Sequence, residues 1–329
     1  MTMAQQRFGF IDSAKGIGIV LVVFAHVIAT HVVGAKLEEV ITSFHMPIFF
    51  VLSGLFFSRK DTFKLFIINK TNRLLVPFFF FFVFYGILAI CYYYYRGILS
   101  ENIHKIVWGC YYEWVYIGGA IWFLLALWFD YLLFYFVTLV KNKWARLIIC
   151  LIIGCVGLLL GYNHIELPFW IDTSMTCLPY FTLGYIIKNH SNLLERGEKD
   201  KYDILYVIVF IAIVVVTAGY TCYRKNHFGI PFWQLYICGV AGFFAVFFLA
   251  KSKIGNNSFL QYIGKYSLII LCIHQMIMTV MKGVLENFLH MKGTIAAIGN
   301  FVMTFAISCL LIPVLCKLLP HVTGQKNLF

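Results

Sequence analysis

Asp12-Ser13-Ala14-Lys15-Gly16-Ile17-Gly18-Ile19-Val20-Leu21-Val22-Val23-Phe24-Ala25-His26 opens an otherwise oily chain. The segment is apolar enough to enter a membrane, yet it carries an acid, a lysine and a histidine. At 100° per helical residue, Lys15 and His26 point within about 20° of each other, and Asp12 falls within about 60° of both. Beside them runs a stripe of small residues, Ala14, Gly18, Ala25 and Ala29, of the kind that lets transmembrane helices approach closely. An ionisable residue inside a bilayer costs about 2.5–3.5 kcal/mol on insertion scales and marks function by default. Three of them on one stripe read as the lining of a site.

The rest of the composition agrees with a membrane setting. Of 329 residues, 61% are hydrophobic and 12% charged, where a soluble protein carries about 25% charged residues. Apolar runs long enough to cross a bilayer recur throughout, and the short alternating segments of a barrel do not. The expected fold is therefore all-α, a polytopic integral membrane helical bundle of about ten transmembrane helices. These fall at roughly 11–33, 40–58, 74–95, 117–140, 144–162, 173–189, 203–222, 231–250, 264–284 and 295–318. The spans use up the length, so residues 1–329 are expected to form one membrane-embedded domain with no appended soluble domain and no cleavable signal peptide.

Charge fixes the expected orientation. With the N-terminus inside, 19 of the 26 lysines and arginines fall in the N-terminal segment and in 59–73, 141–146, 188–201, 251–265 and 317–326. The remaining 7 fall on the opposite face. That bias predicts an N-in, C-in topology in the cell membrane. The net charge of +12 is spread through short loops with no basic block, which argues against nucleic acid as a partner. The ten cysteines form no CxxC pattern and read as small buried hydrophobes. No histidine pair has i, i+4 spacing, so no metal site is expected.

Several further residues draw attention in chain order. The second span opens Phe44-His45-Met46-Pro47-Ile48-Phe49-Phe50 and closes Leu52-Ser53-Gly54, with Pro47 in the first turns, where its missing N–H costs least. The loop after it ends Lys70-Thr71-Asn72-Arg73. Lys70 and Arg73, at i, i+3, either address one anion or serve only as positive-inside anchors. Segment 101–116 is less apolar and reads as interfacial. Trp122, at the start of span four, is either an aromatic-belt residue or a stacking platform for a sugar ring. Loop 163–172, with His164, Glu166 and Asp172, reads as solvated and outward-facing. Residues 189–203 read as a connector. His274 lies near mid-membrane in span nine, where it either lines a cavity or is a hydrogen-bonded structural histidine.

These motifs resemble the acyltransferase 3 family of multi-pass membrane O-acyltransferases. Phe10-Ile11-Asp12-Ser13-Ala14-Lys15-Gly16 followed by His26 resembles the family's basic residue, ten others, then histidine. The Phe44–Gly54 segment resembles its second-helix motif, and Lys70-x-x-Arg73 before Pro77 its basic pair. Trp122-Phe123-Leu124 and Ile263-Gly264-Lys265 with His274 also resemble it, especially the fucose 4-O-acetylase-like subgroup. Lysine stands at 15 and 70, where arginine is commoner. The extracellular hydrolase-like domain of some members is missing.

The resemblance implies transfer of an acyl group, usually acetyl from acetyl-CoA, to a hydroxyl of a cell-envelope glycan or a lipid-linked precursor. Acyl-CoA is then a donor substrate and no cofactor is bound. Oligomerisation or glycan-synthesis partners are left open. The residue reading fits this geometrically. Lys15, Lys70 and Arg73, with Asp12 beside Lys15, sit where an anionic cytosolic donor would arrive. His26 lies about 16 Å further along the helix, within reach of a pantetheine arm. His26 is the expected general base, with His45 the second catalytic candidate in the same half. A covalent acyl-histidine relay is the other route. Two other classes compete. A transporter would line its path with the same stripe, but no inverted repeat of interrupted helices is evident. A non-catalytic scaffold in an envelope-synthesis complex is the third.

Overall fold

The structure, a computed structural model, describes residues 9–59, 62–107, 119–190, 193–194 and 202–329. The upper part of the expected interfacial segment, residues 108–116, and most of the 189–203 connector lie outside the described residues, as do the basic residues Arg7, Lys60, Arg196, Lys199 and Lys201.

The chain is an all-α polytopic membrane bundle. Its helices are α1 Gly9–His31, α2 Ala35–Thr42, α3 His45–Leu55, α4 Phe63–Lys70, α5 Val76–Tyr95, α6 Leu99–Val107, α7 Trp122–Val137, α8 Lys143–Tyr162, α9 Ile171–His190, α10 Asp203–Thr217, α11 Phe232–Lys251, α12 Ser258–Lys265, α13 Ser267–Gly283 and α14 Gly293–Leu318. A two-residue hairpin pairs Thr221–Cys222 with His227–Phe228. Among the described residues, seven helical runs are long and apolar enough to cross a bilayer: Gly9–His31, Phe63–Tyr95, Gly119–Val137, Lys143–Tyr162, Phe232–Lys251, Ser267–Phe288 and Gly293–Leu318.

The other three segments read as spans also carry helix, but in different form. Segment 40–58 is divided between α2 and the eleven-residue α3. Thr42 Oγ1 donates to the Glu38 carbonyl and Ser43 Oγ to the Glu39 carbonyl, at 2.8 and 2.7 Å. The Glu39 carbonyl also accepts the Ser43 N–H at 3.1 Å, so the hydroxyl bonds add to the last turn of α2, and Pro47 is accommodated in the first turn of α3. The α9 segment is helical over 20 residues with Pro179 inside it, and α10 is 15 residues long.

The chain forms two compact units, each assembled from separate stretches. The first comprises Met1–Phe56, Tyr180–Thr221 and Phe228–Ile270. In it α1 packs against α3, α11 and α12, and α10 against α11. Phe10 meets Phe247 edge-on at 5.5 Å. Two crossings bring backbone onto backbone. A Cβ at Gly264 would lie 1.7 Å from the Asp12 carbonyl oxygen, and one at Gly16 would lie 2.2 Å from that of Leu260. A Cβ at Gly54 or at Gly184 would lie 1.9 Å from the carbonyl oxygen of Phe181 or Val51. Small residues permit such approach in membranes, and the late Ile263-Gly264-Lys265 motif thereby presses on the Asp12–Gly16 end of α1.

The second unit comprises Phe57–Pro179, Cys222–His227 and Leu271–Phe329. Helix α7 is its hub, packing against α4, α5 and α8. Around it Phe57, Phe66, Tyr131 and Phe134 form an aromatic cluster, with Phe57 edge-on to Phe134 at 4.9 Å. The Tyr85 hydroxyl donates to the Cys272 carbonyl, joining α5 to α13. Asn300 Nδ2 donates to the Met278 carbonyl at 3.2 Å and Thr304 Oγ1 to Asn300 Oδ1 at 2.9 Å, so α14 meets α13 through buried polar groups that satisfy each other. Loop 222–227 turns through Asn226 at φ 54°. The Asn226 side chain donates to the Gly157 carbonyl at 2.8 Å and accepts from Thr176 Oγ1 at 2.8 Å. Asparagine is among the few residues that tolerate this left-handed conformation.

Candidate functional site

In the first unit, α1 carries Asp12, Lys15 and His26. Lys15 Nζ lies 3.6 Å from Asp12 Oδ1, one turn away, and 4.7 Å from the Phe56 ring centroid. Asp12 in the first turn of α1 also meets the positive end of the helix dipole. The pair is anchored from behind, because Gly264 of α12 lets the two backbones touch there. His26 is half-buried, and its carbonyl accepts from Thr30 Oγ1 at 2.6 Å.

His45 begins α3, which packs against α1, and is buried. Its Nδ1 lies 2.9 Å from the Ile41 carbonyl oxygen. A carbonyl can only accept, so Nδ1 holds the proton and Nε2 is the acceptor of the neutral ring. That fixed tautomer suits a proton acceptor.

In the second unit, Lys70 ends α4 and Arg73 lies in a π turn, Thr71–Leu75, ahead of α5. Pro77, in the first turn of α5, accounts for the distortion. It has no N–H, and its ring crowds the carbonyl four residues back, that of Arg73. The helical run from Phe63 to Tyr95 therefore widens by local π geometry rather than breaking, a feature common at functional positions. The Lys70 ammonium sits 3.5 Å from the Tyr131 ring centroid and 5.7 Å from that of Phe66. Arg73 is exposed.

Trp122 and His274 also belong to this unit. Trp122 is 6% exposed at the start of α7, edge-on to Phe123. His274 is fully buried, its Nδ1–H donating to the Leu271 carbonyl at 2.9 Å. The neighbouring Gln275 accepts from the Ala120 N–H at 2.9 Å. The structure thus brings the segments carrying Trp122 and His274 together, as it does Asp12 and Lys15.

Loop 163–172 is not fully solvated. His227 Nε2 lies 3.6 Å from Glu166 Oε1, and the His164 and His227 rings meet edge-on at 4.5 Å. Asp172 is buried. Burial, reinforced by His164, lowers the His227 pKa from its ordinary value, with Glu166 opposing. No group of three or more histidine, cysteine or acidic side chains among the described residues is arranged to hold a metal.

Three residues escaped the sequence reading. Tyr131 carries the ring beneath Lys70. Asn72, between the two basic residues, is 2% exposed. Asp130 is fully buried in α7, and neither carboxylate oxygen has a hydrogen-bond partner among the described residues. Only Asp130 gave a visible signal, since it is an acid inside an apolar span like Asp12. Ring placement and tertiary hydrogen bonds leave no periodicity to read.

The family model described as an acyltransferase domain matches residues 8–313. No curated protein and no solved structure matches the chain. The match takes in both units, the Lys15–His26 helix, the Lys70–Arg73 turn and His274, so this multi-pass membrane protein belongs to the acyltransferase 3 family and is a membrane acyltransferase.

Proposed function

We propose that this acyltransferase moves an acyl group, most simply acetyl, from cytosolic acyl-CoA to a hydroxyl of a cell-envelope glycan or its lipid-linked precursor, in the inner membrane. The observation that carries this reading is the first helix. In a chain of this family, Lys15 and His26 share a face of α1 about 16 Å apart. A cation for the donor's phosphates and a base for the acceptor's hydroxyl are thus spaced by the length of a pantetheine arm.

In the proposed reaction, His26 takes the proton from the acceptor hydroxyl as its oxygen attacks the thioester carbonyl. The C–S bond breaks, and the coenzyme A thiolate leaves and takes up the proton. His45, with Nε2 as its acceptor atom, is the second proton-handling group of the first unit. Lys15, Lys70 and Arg73 are read as donor contacts. Asp12 holds Lys15 in place.

Purified protein in lipid nanodiscs, incubated with radiolabelled acetyl-CoA, tests the reading. Label should pass to added envelope glycan and thioester consumption should depend on that acceptor. An intact thioester with every acceptor, together with solute counterflow in vesicles, would replace it with a transporter. The proposed N-in, C-in orientation would put position 64 in the cytoplasm. Labelling of a single cysteine there by an impermeant reagent outside intact cells would overturn cytosolic donor access.

A further inference from the structure

Asn72 stands between Lys70 and Arg73 but points away from solvent, and its side chain makes four hydrogen bonds. Oδ1 accepts from the Leu328 N–H at 2.7 Å and the Phe329 N–H at 3.1 Å. Nδ2 donates to the Phe329 main-chain oxygen at 3.2 Å and to the Ile68 carbonyl at 3.0 Å. Three of these bonds reach residues more than 250 positions away in the chain.

The segment that meets Asn72 is itself folded. After α14, the Thr323 N–H donates to the Leu319 carbonyl, and the Gln325 and Lys326 N–H groups to that of Pro320. His321 Nδ1–H closes the loop on the Asn327 carbonyl at 2.8 Å. The Leu328 and Phe329 side chains are exposed, so this contact is made by backbone, not by apolar burial.

The π turn explains why such a contact matters. A π turn holds more residues per turn than an α-helix, and it occurs mostly as a single turn set within one. Its collapse to α geometry would rotate Arg73 about the axis relative to Lys70 and change the spacing of the two cations. Pro77 sets the π geometry from one side, and a side chain that grips an external backbone from inside the turn holds the same geometry from the other.

We propose that Asn72 is a positioning residue for the acyl donor: by fastening residues 328–329 to the π turn, it fixes the spacing of Lys70 and Arg73. The inference rests on the reading of those two residues as donor contacts. Residues 319–329 then act as a strap on the donor end of the second unit.

The test measures coenzyme A affinity, which does not depend on the acyl group or the acceptor, in the full-length protein in nanodiscs. Asn72→Leu removes all four bonds at similar volume and should weaken coenzyme A binding about 5- to 30-fold. Leu328→Pro removes one N–H at a residue whose side chain is 53% exposed, and should weaken binding about 3- to 10-fold. The double variant should bind no more weakly than Asn72→Leu alone, because both changes break one contact. In the transfer assay the KM for acetyl-CoA should follow the affinity, with kcat held within about twofold. If Asn72→Leu fails to fold, Leu328→Pro decides alone. Unchanged affinity in the strap variants, with Lys70→Ala and Arg73→Ala weakened, overturns the strap and leaves the donor reading standing. Unchanged affinity in Lys70→Ala and Arg73→Ala overturns both. Tighter binding in Leu328→Pro would make the segment a plug rather than a strap.

Discussion

Lys15 and Lys70 occupy matching roles in the sequence, each a cation at the edge of an apolar run and each over a ring, Phe56 at 4.7 Å and Tyr131 at 3.5 Å, but their settings differ. Lys15 stands on a regular helix and pairs with Asp12 at 3.6 Å, with both side chains partly exposed. Lys70 stands beside a π turn and lies on the Tyr131 ring at 3.5 Å. The first region is fixed by backbone contact with α12 at Gly264. The second is fixed by an aromatic cluster and by Asn72. An exposed ion pair is screened by salt. A cation on a buried ring keeps most of its attraction. The first helix therefore supplies rigid geometry over a long reach, and the end of α4 supplies a half-buried cation held on an aromatic ring.

The largest effect should come from separating chemistry from binding. His26→Ala should lower acyl transfer by about 10²-fold or more while coenzyme A affinity persists. His26→Gln should be equally inactive, since glutamine cannot take up a proton. A folded His26→Gln protein with near wild-type turnover would end the catalytic role of α1. Next, Lys70→Ala and Arg73→Ala should each raise the KM for acyl-CoA, by a loss of about 1.5–3 kcal/mol. Lys70→Arg should be tolerated, because a guanidinium also stacks on a ring. Unchanged KM in both alanine variants would reduce the pair to topology anchors and erase the comparison.

The aromatic cushion gives a smaller effect. Tyr131→Leu should cost about 0.5–2 kcal/mol of donor binding, and Tyr131→Phe close to nothing, because the ring face remains. Equal losses in both would assign the role to the hydroxyl instead. The smallest effect should be Asp12→Asn. This partly exposed pair is worth about 0.2–1 kcal/mol of stability, and the difference should vanish in high salt. A calorimetric comparison at two salt concentrations, with Tyr131→Leu alongside, sharpens the contrast. Salt-insensitive loss at Asp12 would show that its pairing is effectively buried.

The membrane class was legible from the run lengths alone, because a bilayer demands about 20 apolar residues per crossing and tolerates few charges. Every segment read as a span carries helix, though segment 40–58 is two helices meeting at Thr42-Ser43-Phe44. There, the Thr42 and Ser43 hydroxyls bond back to the Glu38 and Glu39 carbonyls at the end of α2, local bonds that hydropathy does not register. Loop 163–172 likewise reads as solvated because its residues are polar. Whether Glu166 meets His227, about 60 residues later, depends on where the chain returns.

By itself the sequence determined the polar stripe of α1, because helical periodicity alone aligns Asp12, Lys15 and His26. It also determined the three-residue spacing of Lys70 and Arg73. Tertiary structure alone decided what surrounds them. Tyr131 under Lys70, Gly264 against the Asp12 carbonyl, Asn72 on residues 328–329 and the burial of Asp130 all join or enclose residues distant in the chain. Such contacts depend on which helix faces touch, and a face's neighbour is set by packing of the whole unit rather than by any local pattern.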